Sequence, residues 1–190
     1  MGLMNQIKNW FKTPFDHEQA LMLYRVVVEQ SRRPVFYGEP FSVEDTPDGR
    51  YDLVAIHAFM IMRRLKDGND AAIELSQALH DLMFADMDQN LREMGIGDHG
   101  MPKRMKKLAE GFRGRIAAYD AGLEDAATGN TGTLKGALSR NLYRKTEPSD
   151  TALEAMSEYL VRQDKRLAQL PIDDLLVGKV SFGVPVEEAA

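Results

Sequence analysis

The stretch from Asn69 to Gly95 constrains the fold more than any other part of the chain. Asn69 is a residue type that caps helices, and Gly95 one that ends them in left-handed backbone. Between them Ile73, His80, Met83, Phe84, Met87, Leu91 and Met94 share one stripe, about 100° wide at the helical period, which predicts a long amphipathic helix. The apolar seam of such a helix must be covered by other elements. Apolar β-branched runs are nearly absent outside Val26 to Val28, so the covering elements are expected to be helices.

The rest of the chain supplies them. Leu3, Met4, Ile7, Trp10 and Phe11 fall on one face of a short amphipathic segment that Pro14 ends. Asp16 can cap a helix through about Arg32, and SRRPVFYGEPF then breaks the pattern with two prolines and a glycine. The turn-rich VEDTPDGR leads into a helix from Tyr51 to Lys66, and Pro102 suits the first turn of another helix to about Leu123. GLEDAATGNTGT is expected to be a flexible loop. Helices over 131–145 and 151–169 follow, the second opened by a capping box from Thr151 to Glu154. The tail LLVGKVSFGVPVEEAA holds a brief β-prone piece. The expected architecture is all-α: a single-domain bundle of six or seven helices with irregular loops and a short extended C-terminal tail. It divides into an amphipathic segment (1–14), a helical domain (15–170) and a tail (171–190).

Composition narrows the chemistry. A chain of 190 residues, 44% hydrophobic, can bury a real core, and its lack of cysteine excludes disulfides, thiolate metal sites and a cysteine nucleophile. No secretory or transit signal opens it, and the longest apolar run, Leu53 to Met62, is half the ~20 residues that cross a bilayer. A cytoplasmic location is expected, or attachment at the cytoplasmic face of the inner membrane. The net charge of −5 argues against nonspecific nucleic-acid binding.

Several motifs invite catalytic readings. Asp86, Asp88 and Asn90 match the start of a calcium loop, but Leu91 and Gly97 stand where that loop needs glycine and a bidentate glutamate. His57, His80 and Asp81 could hold a metal that activates water, making a metal-dependent phosphohydrolase the alternative function. The wheel instead puts His80 among core residues and turns Asp81 away from it. No serine has a GxSxG setting, and GIGDHG lacks the strand and lysine of a P-loop. No catalytic set, metal or cofactor is expected.

Charge is segregated. Asp81 to Asp98 holds five acids and one base, and Met101 to Arg115 six bases and one acid. Local pairing such as Asp88 with Arg92 accounts for part of this. The sharper reading makes Asp86, Asp88, Arg92, Glu93, Asp98, Lys103 and Lys106 a partner-facing surface beside an apolar groove. Met60, Met62, Met83, Met87, Met94, Met101 and Met105 would lend that groove adaptable side chains. In the terminal segment Leu3, Ile7, Trp10 and Phe11, flanked by Lys8 and Lys12, could lie in a membrane interface, so a membrane-surface adaptor is a further alternative.

Three stretches carry a family resemblance: FYGEPFSVEDTPDGRYDLVAIHAFMIMRRLK (36–66), LSQALHDLMFADMDQNLREMGIGDHGMPKRMKKLAEGFRGR (75–115) and ALSRNLY (137–143). With them the chain resembles the ubiquinol–cytochrome c chaperone family, assembly factors of the cytochrome bc1 complex, over most of residues 20–169. The resemblance implies a non-enzymatic all-α chaperone that binds newly synthesised cytochrome b and aids its assembly. In mitochondrial relatives it implies a small co-chaperone and work near the ribosomal exit. The family's usual residue at His80 is aromatic, which fits a packing role there.

Overall fold

A computed structural model describes residues 17–95 and 100–186. The amphipathic segment with Leu3, Ile7, Trp10 and Phe11, the Asp16 cap and Asp98 lie outside the described residues. Within them the chain is all-α, with seven α-helices, one 3-10 turn (Pro34–Tyr37) and no strand. The helices are α1 (His17–Ser31), α2 (Pro47–Leu65), α3 (Asp70–Glu93), α4 (Met101–Ala127), α5 (Gly132–Asn141), α6 (Asp150–Ala168) and α7 (Ile172–Leu176).

The ends of α3 are where its sequence puts them. The Asn69 side chain accepts from the Ala72 amide, and Gly95 takes φ +84. Other boundaries moved because a competing cap won. Helix α2 begins at Pro47, four residues before Tyr51, because the Thr46 side chain accepts from the Gly49 amide and proline suits the first turn. Helix α6 is capped by Ser149, which accepts from the Ala152 amide, and not by Thr151. Much of the expected loop after Leu123 is helical, since α4 runs to Ala127 and packs closely on α5. A Cβ at Gly122 would meet the Leu134 backbone at 2.7 Å, so only glycine admits that approach. The β-prone tail forms a short helix, α7, and then an extended run without strand pairing.

Helix α2 is the centre of the molecule and touches α1, α3, α4, α6 and α7. From Asp52 to Ile61 every residue except Val54 is buried, as expected of a helix that is apolar all round. Leu53, Ile56, Phe59 and Met60 face a cluster with Phe36, Phe41, Tyr143 and Tyr159, while Ala55, Ala58, Ile61 and Leu65 face Leu23, Val27, Leu75 and Leu79. The buried row of α3 is Ala72, Leu75, Leu79, Met83 and Met87, rotated from the expected stripe; Ile73 and Met94 stay 55% and 59% exposed. Apolar side chains span two adjoining faces of α3, and packing against α1 and α2 selects the leucine face.

Two polar residues of α2 are taken inside. Asp52 is 2% exposed, with Arg115 of α4 and Arg144 beyond α5 each 2.9 Å from one of its carboxylate oxygens. The Arg115 contact lies off the hydrogen-bond axis, an ion pair without a directed bond. His57 is fully buried. Its Nδ1 donates to the Leu53 carbonyl at 2.7 Å, and its Nε2 accepts from the Tyr159 hydroxyl at 2.8 Å. That hydroxyl accepts from Gln30 Nε2 at 2.9 Å, so the chain of bonds joins α1, α2 and α6 through the core.

Burial pushes the Asp52 carboxyl up to about 7 against the pull of both guanidiniums, and pushes the His57 imidazole down to about 4. Folded Asp52 holds its proton more tightly than the unfolded group. Its contribution to stability is therefore full below the unfolded value of ~3.9 and is lost as pH rises through about 7. His57 runs the other way: the unfolded imidazole takes its proton near ~6.5, the folded one near about 4, so stability is lost as pH falls across that window. In denaturant unfolding between about pH 4 and 7, Asp52→Asn is expected to tilt stability toward loss in acid, and His57→Leu toward loss at neutrality. The opposite tilts would contradict both assignments. Tyr159→Phe, which strips His57 Nε2 of its donor, is expected to cost about 1–3 kcal/mol in the same measurement.

Candidate functional site

The surface opens into a groove of about 540 Å³ where α1, the first turns of α2, the second half of α3 and the start of α4 meet. Its floor is apolar: Tyr24 and Val28 from α1, Tyr51 and Val54 from α2, Met83, Met87 and Leu91 from α3 with Met94 just past its end, and Leu108 from α4. Three methionines along one wall let the floor adapt its shape at little rotamer cost. The hydroxyl of Tyr51 is buried without a well-aligned hydrogen bond to any described residue, and burial pushes it up to about 12 against the pull of the neighbouring Arg115 guanidinium. The Arg115 guanidinium sits 5.5 Å from the centre of the Tyr51 ring, which fixes this face of the floor to the Asp52 cluster beneath it.

The rim is charged, and its acids are occupied. Asp45 takes a two-point contact from Arg50, at 2.5 Å and 3.1 Å. Asp48 pairs with Lys145, which holds its carboxyl below the usual carboxylate range. Asp86 accepts from the Tyr24 hydroxyl at 2.7 Å; burial and this bond raise the Tyr24 phenol well above its ordinary range. The cations Arg32 and Arg104 also line the groove, and no acid of the described residues lies within ion-pair distance of either. Among the described residues the rim therefore offers two exposed guanidiniums without an ion-pair partner around an apolar floor.

Of the charged residues singled out in the sequence and described by the structure, Asp86 alone lines this groove. Asp88 pairs with Arg92 one turn along, at 2.6 Å, as the spacing predicts. Glu93 accepts from Gln89 at 2.9 Å, Lys106 lies 3.9 Å from Glu110, and Lys103 is exposed. These five, Asp88, Arg92, Glu93, Lys103 and Lys106, belong to the helices that wall the groove but do not line it. The rim residues Arg32, Asp45, Asp48, Arg50 and Arg104 were not legible as a set, because they sit on three elements that only tertiary packing brings together. Among the methionines, Met83, Met87 and Met94 reach the groove, whereas Met60 and Met101 are core.

The alternative catalytic set does not assemble. Both ring nitrogens of His57 are engaged inside the core, as described above. His80 is a third exposed, stacked against Phe84 with ring centres 4.6 Å apart and against Phe112 at 5.8 Å. Its Nδ1 lies 2.9 Å from Asp81 Oδ1, so the two neighbours do meet, contrary to the wheel, because flexible side chains on adjacent faces can bend together. Among the described residues no group of three or more histidines and acids is placed to hold a metal ion. Nor is any described helix long and apolar enough to cross a membrane.

Residues 39–182 match the family described as ubiquinol-cytochrome C chaperone. The chain is 29% identical over 172 residues to ubiquinol-cytochrome-c reductase complex assembly factor 1 of Xenopus laevis, covering 90% of this chain and 84% of that one. The Mus musculus assembly factor 1 is 25% identical over 89% of this chain, which spans only 56% of the mouse protein's length. A crystal structure of the Cbp3 homolog from Brucella abortus superposes with a TM-score of 0.80 at 34% identity, over 97% of this chain and 98% of that one. A match over three quarters of the sequence, with the fold shared from end to end, means that the chain belongs to the ubiquinol-cytochrome c chaperone family.

Proposed function

We propose that this protein is a non-catalytic assembly chaperone of the cytochrome bc1 complex, and that its groove holds an apolar segment of newly synthesised cytochrome b. The observation that carries the reading is the methionine-lined floor between α1, α2, α3 and α4, found in a chain whose relatives are named as assembly factors of that complex. An unassembled membrane subunit exposes apolar surface that must be kept from self-association. A concave, soft, apolar floor shelters such surface by area, without demanding one shape. The open guanidiniums of Arg32 and Arg104 favour a segment whose apolar face is bordered by acids or by free carbonyls at a helix end. Capture and release of this kind breaks no bonds.

The charges outside the groove have a separate part in this reading. Asp88, Arg92, Glu93, Lys103 and Lys106, with Asp98 between them in sequence, flank the walls and steer the approach of the client by their field.

A photo-reactive residue at Leu91 is expected to cross-link to cytochrome b during its synthesis, while one at exposed Ile73, away from the groove, is not; equal labelling from both would refute groove binding. Leu91→Glu puts a carboxylate on the floor, and recovery of cytochrome b is expected to fall by at least about tenfold, at unchanged helical circular dichroism. Reversing Asp88 and Glu93 to lysine is expected to change the association rate and its dependence on salt, with dissociation little altered. An effect on dissociation alone would make these residues direct contacts.

A further inference from the structure

Beyond α7 the chain runs from Lys179 to Val186 without regular structure, laid along α6. Among the described residues no backbone group from Val180 to Val186 bonds to another backbone group. Side chains of the helices read this strap instead. The Gly183 amide donates to Gln163 Oε1 at 2.7 Å, and its carbonyl accepts from Gln30 Nε2 at 3.2 Å. Arg166 donates to the Ser181 carbonyl at 3.2 Å, and Arg162 to the Pro185 carbonyl at 2.7 Å. Arg162, Gln163 and Arg166 lie on one face of α6, and each addresses the main chain of the strap.

Apart from Arg166 Nη2, which also donates to Ser181 Oγ at 3.1 Å, these contacts go to main-chain groups and are indifferent to side-chain identity, so they describe a receptor for extended polypeptide. With the strap in place Gln30 and Gln163 are 6% and 2% exposed, so whatever covers them has to fill their hydrogen bonds, and an occupant that left one unmade would cost about 1–3 kcal/mol. Selectivity enters at three positions. Phe182 places its ring edge-on to His57, with centres 5.0 Å apart. A Cβ on Gly183 would come within 3.2 Å of the Gln163 amide, so a larger residue there has to push aside the group that bonds the strap, which favours a small one. Pro185 is buried, whereas Ser181, Val184 and Val186 face solvent.

We propose that the channel between α1 and α6 is a second peptide site, for an extended segment carrying an aromatic residue, a small residue after it and proline at the fourth position. The C-terminal strap is its resident occupant and leaves to admit such a segment. This site is separate from the groove between α1, α2, α3 and α4, and stands or falls independently of it. A tethered occupant competes at an effective concentration in the millimolar range, so an incoming peptide binds poorly until the strap is weakened or outcompeted.

Two measurements on the full chain test the proposal. In the unaltered protein, the Gly183 amide is expected to exchange hydrogen through local opening, with protection at least about a hundredfold below that of buried α6 amides around Tyr159. Exchange of the strap only together with α6 overturns the proposal. Second, a labelled peptide KVSFGVPV is expected to bind full-length Phe182→Ala at least about tenfold more tightly than the unaltered chain, by fluorescence anisotropy. The same peptide with alanine for phenylalanine should not bind, nor should the original peptide bind a Phe182→Ala, Gln163→Leu double variant. Equal affinity for Phe182→Ala and the unaltered chain, or binding that ignores the aromatic residue or Gln163, overturns it. Should Phe182→Ala fail to fold, the exchange measurement decides alone.

Discussion

Everything in this molecule leans on the burial of α2. A helix covered on all sides must be apolar all round or satisfy whatever polar groups it takes inside, and α2 takes in two, Asp52 and His57. Their needs tie the other elements to it. Asp52 draws Arg115 from α4 and Arg144 from beyond α5; His57 draws Tyr159 from α6, and through it Gln30 from α1. Arg63 near the end of the same helix reaches Asp120 and Asp164, so α4 and α6 are held there as well. An apolar helix could pack in several rotations; one with two buried polar groups has a single rotation that satisfies both.

The two candidate binding surfaces are consequences of that arrangement. The first turns of α2 supply one wall of the groove, and Arg115 stacks on Tyr51 while pairing with Asp52, so the floor is fixed to the buried cluster. On the opposite side, His57 presents its ring to Phe182 while its nitrogens serve the core. The surfaces differ in chemistry. The groove works by apolar area and soft side chains, suited to apolar partners of varied shape. The channel along α6 works by directed hydrogen bonds to a peptide main chain, suited to an extended segment and selective where it touches Phe182, Gly183 and Pro185.

Much of the fold was legible in the sequence because helix formation is local. Asn69 and Gly95 bound α3 where they stand, and the Asp88 and Arg92 pair forms at its spacing. Boundaries slipped where two cappers competed a few residues apart: Thr46 extended α2 backward over a stretch read as a turn, and Ser149 displaced Thr151. The stripe on α3 was misplaced by about one face for a different reason. Its apolar side chains cover more of the helix than one partner can bury, so the sequence offers two seams and packing picks one. The methionine floor was foreshadowed in kind, through Met83, Met87 and Met94, but its rim was not.

What the residues determined unaided is the all-α class and the main helices, since each rests on spacing within a single segment. The tertiary structure alone decided which face of α3 turns inward and that Arg32, Asp45, Asp48, Arg50 and Arg104 ring one groove. It also decided that Gln30 and Gln163 meet at the main chain of Gly183, one at its carbonyl and the other at its amide. Those outcomes depend on contacts between side chains many turns apart in the chain. Periodicity and capping carry no record of such contacts, because the free energy that selects them comes from burying surfaces against one another.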